Sequence, residues 1–238
     1  MVISKHNNWN NMAIKRTQLR GIAGIDEAGR GPMIGPMVVC GVLIDEDQLN
    51  ELASIGAKDS KTLSPSQRLR LRKKIEQISR TIVIRKVSAS DIDERRKHTT
   101  LNEIEVAEFI AIAKSLKPKE LYLDAADVVA ERFGIRIGTQ SGIVFQGALV
   151  VSEHRADSKY PIVSAASIIA KVERDTIIKS YHEMYGDFGS GYPTDPKSVK
   201  FVRALVKHNQ KLPPIIRKSW DSVRRIVDEE SMKQMKLD

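Results

Sequence analysis

The stretch GIAGIDEAGRGPMIGPMVVCGVLI, residues 21–44, decides the fold. It holds two apolar runs, residues 22–26 and Met37–Ile44, and the second reads as a buried strand. Gly35 and Pro36 lie between them, so the two runs are expected to pair as a hairpin. The first run closes on two adjacent acids, Asp26 and Glu27. Neighbouring strand residues point to opposite faces, so one of these carboxylates must face the interior side, where it needs a cation or a strong donor. Gly29-Arg30-Gly31-Pro32 follows. Glycines let backbone come close to a ligand, and Pro32 stiffens the exit. A plain tight turn would use the same glycines. The spacing of Gly29, Gly31 and Gly35 misses the dinucleotide fingerprint, and two acids ahead of it would repel a pyrophosphate. No Walker loop is present.

Outward from this hairpin, strands and helices alternate. Ser64, Pro65 and Gln67 form a capping box that opens a helix to about Ser79. Thr81–Val87 reads as a third strand. Thr100 and Glu103 predict a second capping box, and Pro118 marks the end of that helix. Residues 121–124 form a short strand ending in Asp124. Asp127 is expected to cap a helix, and residues 142–151 to form another strand. Residues 164–185 read as a long helix with small residues at its start. A loop at residues 189–193 precedes helices at Asp195-Pro196 and around Trp220, Val223 and Val227. This order implies an α/β sheet domain over residues 21–194 and a helical C-terminal segment over 195–238. Residues 1–20 read as a polar extension.

The formal net charge of the 238 residues is +9, with 41% hydrophobic residues, so a core can form and a polyanionic partner is one explanation of the charge. A basic protein without such a partner is the other. The single cysteine, Cys40, excludes an internal disulfide and a thiolate metal site, and it reads as a core thiol. No run approaches the ~18 apolar residues of a membrane span, and the start lacks the apolar block of a signal peptide. The chain is expected to be cytoplasmic and bound to no membrane.

Asp26-Glu27, Asp124 and Asp157 each close an apolar run. Strand ends are where ligand sites form in open α/β sheets. Carboxylates from separate strands suit Mg2+ or Mn2+, and a metal pair suits phosphodiester hydrolysis. Any single acid of this kind is more often solvated or a helix cap.

Taken together, the blocks resemble type 2 ribonuclease H (ribonuclease HII), and the details are most similar to archaeal members. The resemblance rests on Gly24-Ile25-Asp26-Glu27-Ala28-Gly29-Arg30-Gly31-Pro32, Asp59-Ser60-Lys61, Leu123-Asp124, the block from His154 through Asp157 to Tyr160 with the helix from Ser164, and Gly189-Ser190-Gly191-Tyr192-Pro193. It implies a ribonuclease H-like mixed central sheet flanked by helices. It implies Asp26, Glu27, Asp124 and Asp157 as catalytic, metal-binding acids with Mg2+ or Mn2+. It implies that the backbone of Gly29, Arg30 and Gly31 reads the ribose 2′-hydroxyl, and that Tyr192 packs on the sugar beyond the cut. The implied substrates are RNA/DNA hybrids and duplex DNA containing a ribonucleotide.

Around this set, Lys61 and Arg30 are candidate phosphate contacts. Lys159 and Lys171 are weaker ones. His154 is expected to pack beside the site, and Ser167 to serve close packing. The cations of residues 68–74 read as a solvated helix face. Lys197, Lys200, Arg203, Lys207, Lys211, Arg217, Lys218, Arg224 and Arg225 are expected to track duplex phosphates. The tail lacks the aromatic pair that would dock on a sliding clamp, so no protein partner is expected and the chain reads as a monomer. The alternatives are another metal nuclease on the same fold and a basic nucleic-acid-binding module without catalysis. Four acids would repel phosphate in a mere binder.

Overall fold

The computed structural model describes residues 19–56, 63–208 and 210–234. Asp59-Ser60-Lys61 lies outside the described residues. In chain order the elements are β1 (Ile22–Ala28), β2 (Met37–Ile44), α1 (Leu49–Ser54), α2 (Pro65–Ile78), β3 (Thr81–Val87), α3 (Ala89–Arg95), α4 (Leu101–Leu116), β4 (Glu120–Asp124), α5 (Ala130–Ser141), β5 (Leu149–Glu153), α6 (Ala156–Lys159), α7 (Pro161–Tyr185), α8 (Pro196–Lys207) and α9 (Asp221–Gln234). The sheet runs β3-β2-β1-β4-β5. β1 and β2 pair antiparallel, with Asp26 opposite Cys40. β1 and β4 pair parallel, as do β4 and β5, so the sheet is mixed.

The two-residue period of β1 sorts its side chains between two cores. Ile22 and Ala28 join α7 on one face, with Cys40, Val42 and Ile44 from β2. Ala23 and Ile25 join α4 on the other, with Val39 and Leu43. There Phe109 meets Phe133 edge to face at 5.2 Å between ring centres, and burying each such ring stabilises by about 1.5–3 kcal/mol. Asp26 therefore lies on the α7 face and Glu27 on the α4 face. Gly24 lets α7 lie almost on the strand: a β-carbon there would stand 2.5 Å from the Ile162 carbonyl.

Local signals set most element ends. Ser64 caps α2 with both arms of the capping box formed, and Pro65 occupies the first turn. Thr100 accepts from the Glu103 amide, but the reciprocal arm is missing. Glu103 instead pairs with Arg136 of α5, because a guanidinium fork outcompetes a single backbone donor. Asp127 is not the cap of α5. The cap position falls on Val129, and Asp127 takes the Val129 amide and the Arg132 guanidinium one turn earlier. The strand expected at residues 142–151 forms only from Leu149. Gly142 and Gly147, both with positive φ, bracket a 3-10 turn at Val144–Gln146.

A third core unites Met33 and Ile34 of the β1–β2 connection with Ile178, Phe188, Val202, Ile215, Val223 and Ile226. Ile34 and Ile216 form an antiparallel bridge. The C-terminal segment is thus packed onto the connection that follows the acids. Among the described residues no helix is long and apolar enough to cross a membrane.

Candidate active site

Parallel neighbours run in the same direction, so β1 and β4 end together. Their pairing closes at Ile25 opposite Leu123, and the next residue on each strand is an acid, Asp26 and Asp124. Asp26 is only 4% exposed. Burial above all, then the charges of Glu27 and Asp124, hold its carboxyl well above the ordinary 3.8. A hydrogen bond from Ser167 and the Glu27 amide, 2.7 Å from Asp26 Oδ1, oppose that rise. Ser167, expected to serve packing, is thus also a polar contact of the first acid. Glu27 is raised as well, by burial first and by Asp124 second, with Arg30 acting against it. Its Oε2 is buried without a hydrogen-bond partner among the described residues.

Asp124 Oδ1 accepts the Ala156 amide at 2.8 Å, which ties the end of β4 to the start of α6. Arg155, with φ of 57°, turns the chain from β5 into that helix. Asp157, the next acid, is buried at 3% exposure. Among the described residues no three carboxylates, histidines or cysteines are gathered tightly enough to enclose an ion as they stand. The donor chemistry nonetheless fits a hard divalent cation. The ligands on offer are oxygens, the acids repel one another, and a buried Glu27 oxygen meets no donor among the described residues.

The glycine connection is held from beneath. Arg217 Nη2 donates to the Gly29 carbonyl at 2.5 Å, Nη1 to the Arg30 carbonyl at 2.8 Å and Nε to the Gly35 carbonyl at 2.9 Å. Trp220 Nε1 donates to the Gly31 carbonyl at 3.1 Å. The Arg217 guanidinium lies 4.6 Å from the Trp220 ring centre. Arg217 is fully buried, and burial above all pushes it down to about 9, so it stays charged at neutral pH. The expectation that Arg217 tracks phosphates is therefore wrong: its charge is used inside the fold. Arg203 likewise pairs with Glu229 and Glu230 of α9. On α2, Arg68 and Arg72 reach Asp175 and Glu173 of α7, so that face is partly tied down rather than merely solvated.

Arg30 turns its guanidinium to the buried Glu105 of α4 and to Asn102. What it offers the cleft is mainly backbone. Gly29 has φ of 83°, and a β-carbon there would stand 2.5 Å from the Arg174 side chain. Arg174 also donates weakly to the Ile34 and Ser190 carbonyls and lies 5.5 Å from the Tyr192 ring centre. Tyr192 is 39% exposed and faces Gly31. Glu27, Gly29, Gly31, Lys171, Arg174 and Tyr192 line one cleft of about 550 Å3. A slightly larger hollow beside Asp45 and Arg80 lies at the far end of β2 and holds none of these groups. His154 is exposed and contacts the Ala125 and Val128 carbonyls, beside Asp124 rather than among the acids.

Sequence reasoning missed Arg217, Arg174 and Trp220 as parts of this neighbourhood. The only local signal for Arg217 is the apolar pair Ile215-Ile216 before it, in a segment crowded with cations.

A mixed sheet in this order, with acids at the ends of adjacent parallel strands beside a bare glycine connection and a cationic wall, defines a nuclease of the ribonuclease H fold. A family model described as ribonuclease HII matches residues 23–223. The chain belongs to the ribonuclease HII family, and is thereby a ribonuclease H, a hydrolytic endonuclease. It is 48% identical to ribonuclease HII of Pyrococcus furiosus over 90% of this chain and 94% of that one. The crystal structure of ribonuclease H2 from Pyrococcus horikoshii superposes with a TM-score of 0.82 at 43% identity, covering 88% of this chain and 98% of that one. The ribonuclease HII of Archaeoglobus fulgidus, solved in complex with PCNA, gives 0.79 at 41% identity, covering 86% and 96%.

Proposed function

We propose that this enzyme hydrolyses the phosphodiester 5′ of a ribonucleotide, in RNA/DNA hybrids and in duplex DNA carrying a single ribonucleotide, and leaves a 3′-hydroxyl and a 5′-phosphate. The observation that carries the reading is the set of mutually repelling acids Asp26, Glu27 and Asp124, of which Glu27 reaches the edge of a cleft whose other wall carries Lys171 and Arg174. Asp26, Glu27, Asp124 and Asp157 would hold two Mg2+ or Mn2+ ions. Bound there, the metals would lower the pKa of the attacking water and offset charge on the leaving oxygen. Ser167 and the Glu27 amide keep Asp26 oriented and favour its charged form. Tyr192 presents an open ring face to the sugar beyond the cut, with Arg174 behind it.

Ribose selection falls to the Gly29–Gly31 backbone. The carbonyls of Gly29, Arg30 and Gly31 are engaged by Arg217 and Trp220. With the carbonyls held, the connection meets the cleft as amide donors and glycine α-carbons, the closest approach a backbone allows to a 2′-hydroxyl. Lys61 is proposed as a phosphate contact on the motif alone. The catalytic unit is read as residues 21–194, with 195–238 as its helical segment, acting as a cytoplasmic monomer. The tail carries no aromatic residue after Trp220, and no sliding-clamp contact enters this reading.

The test is a labelled duplex with one ribonucleotide, incubated with Mg2+, with Mn2+ or with chelator. Cleavage directly 5′ of the ribonucleotide, dependent on metal, is expected. Cleavage that persists in chelator, or equal attack on all-DNA duplex, refutes the reading.

A further inference from the structure

We infer that Arg217 and Trp220 are positioning residues for ribose discrimination, acting through the main chain of Gly29, Arg30 and Gly31; this rests on the proposed role of that connection. Three carbonyls of one short connection, with that of Gly35 beyond it, converge on two side chains from the far end of the chain. A charged guanidinium satisfied by three carbonyls in a dry interior is directional, and it fixes the peptide planes whose carbonyls it holds. Each plane carries the next residue's amide on its opposite edge. Holding the Gly29 and Arg30 carbonyls therefore fixes where the Arg30 and Gly31 amides point.

The clamp is itself braced. Asp93 accepts the Lys218 and Ser219 amides at 2.7 and 3.0 Å and the Ser219 hydroxyl at 2.6 Å. Arg96 donates to the Ser219 carbonyl at 2.9 Å and lies 4.9 Å from the Trp220 ring centre. From the other side Arg30 is tied to Glu105 of α4. A bare turn needs no such frame. A connection whose amides must hold their aim against a flexible sugar does, because a misplacement of about 1 Å is costly at a reacting centre.

Trp220→Phe removes the donor to Gly31 and keeps an aromatic ring, though a smaller one, for Arg217 and Arg96 to lie against, so the fold should survive. Arg217→Lys keeps a charge but not the fork. Both are compared with the parent by binding to duplexes with a ribonucleotide or a deoxyribonucleotide at the scissile position, in chelator, and by kcat and KM on the ribonucleotide duplex. The ribose preference of Trp220→Phe should fall about fivefold, the size of one hydrogen bond, with all-DNA affinity unchanged and the kinetic loss in kcat. Arg217→Lys should lose more. An unchanged preference in both variants overturns the inference. So does an equal loss on both duplexes together with a lowered melting temperature, which would mark a structural role. A parent protein without any ribose preference would instead sink the reading of the glycine connection itself, and the clamp with it.

Discussion

Replacing Gly24 by alanine tests whether close approach of α7 to β1 organises the site. The new methyl would stand 2.5 Å from the Ile162 carbonyl carbon and oxygen and 2.7 Å from the Val163 amide. Ordinary contact begins near 3.4 Å, so the first turn of α7 must retreat by about 1 Å. The obstacle is helix backbone, which has no alternative rotamer. Overpacking against a fixed neighbour costs about 1–3 kcal/mol, and the upper end applies here. For a domain of this size that corresponds to a fall of roughly 6–12 °C in melting temperature. Activity should fall too, by up to about a hundredfold for a displacement of about 1 Å, because the retreat carries Ser167 away from Asp26, two residues beyond Gly24. Thermal and urea unfolding, each alongside kcat, are the assays. A variant melting within about 2 °C of the parent would refute the argument that this glycine sets the strand–helix distance.

Asp26→Asn should abolish turnover with the circular dichroism spectrum unchanged; retained activity would remove Asp26 from its role. The same variant tests the buried charge. An acid whose folded value is raised contributes stability below its unfolded value, and that contribution is lost as pH rises through the folded value. Without metal, Asp26→Asn should therefore gain stability relative to the parent as pH climbs above about 3.8, as read by urea midpoints across pH. Mg2+ should raise the melting temperature of the parent by the equivalent of about 2.7 kcal/mol at a hundredfold excess over Kd and leave Asp26→Asn almost unmoved; equal shifts in both would place the ion elsewhere. Tyr192→Ala should lower kcat/KM about tenfold, the size of one ring–nucleotide stack, whereas Tyr192→Phe should stay near the parent. Neutralising the exposed Lys200, Lys211 and Arg225 together should flatten the salt dependence of hybrid binding by up to about 0.9 for each phosphate no longer neutralised; an unchanged slope would exclude this surface.

What the sequence legibly carried was short in range. Residues 21–44 show their two strands and the turn between them, because strand periodicity and glycine placement act within a few residues. Ser64 and Pro65 announce the start of α2 for the same reason. The alternation argument already required one of Asp26 and Glu27 to face the interior, and β1 does divide them between the α7 and α4 cores. Local signals failed where a distant partner competed. Glu103 gave up its capping arm to Arg136; the run at residues 142–151 was split instead by a local turn between two glycines of positive φ, a signal its apolar content hid.

The acids were legible one at a time, as ends of apolar runs, and as a set only through the family resemblance. Their coupling was not. It depends on strand order, since β1 must lie beside β4 in parallel for Asp26 and Asp124 to emerge together. Arg217 marks the limit most clearly. In the chain it is one cation among many, beside the exposed Lys218. Only the tertiary structure buries it against a carbonyl 188 residues away. The free energy of a buried charge is set by what surrounds it, and those surroundings exist only after the chain has folded.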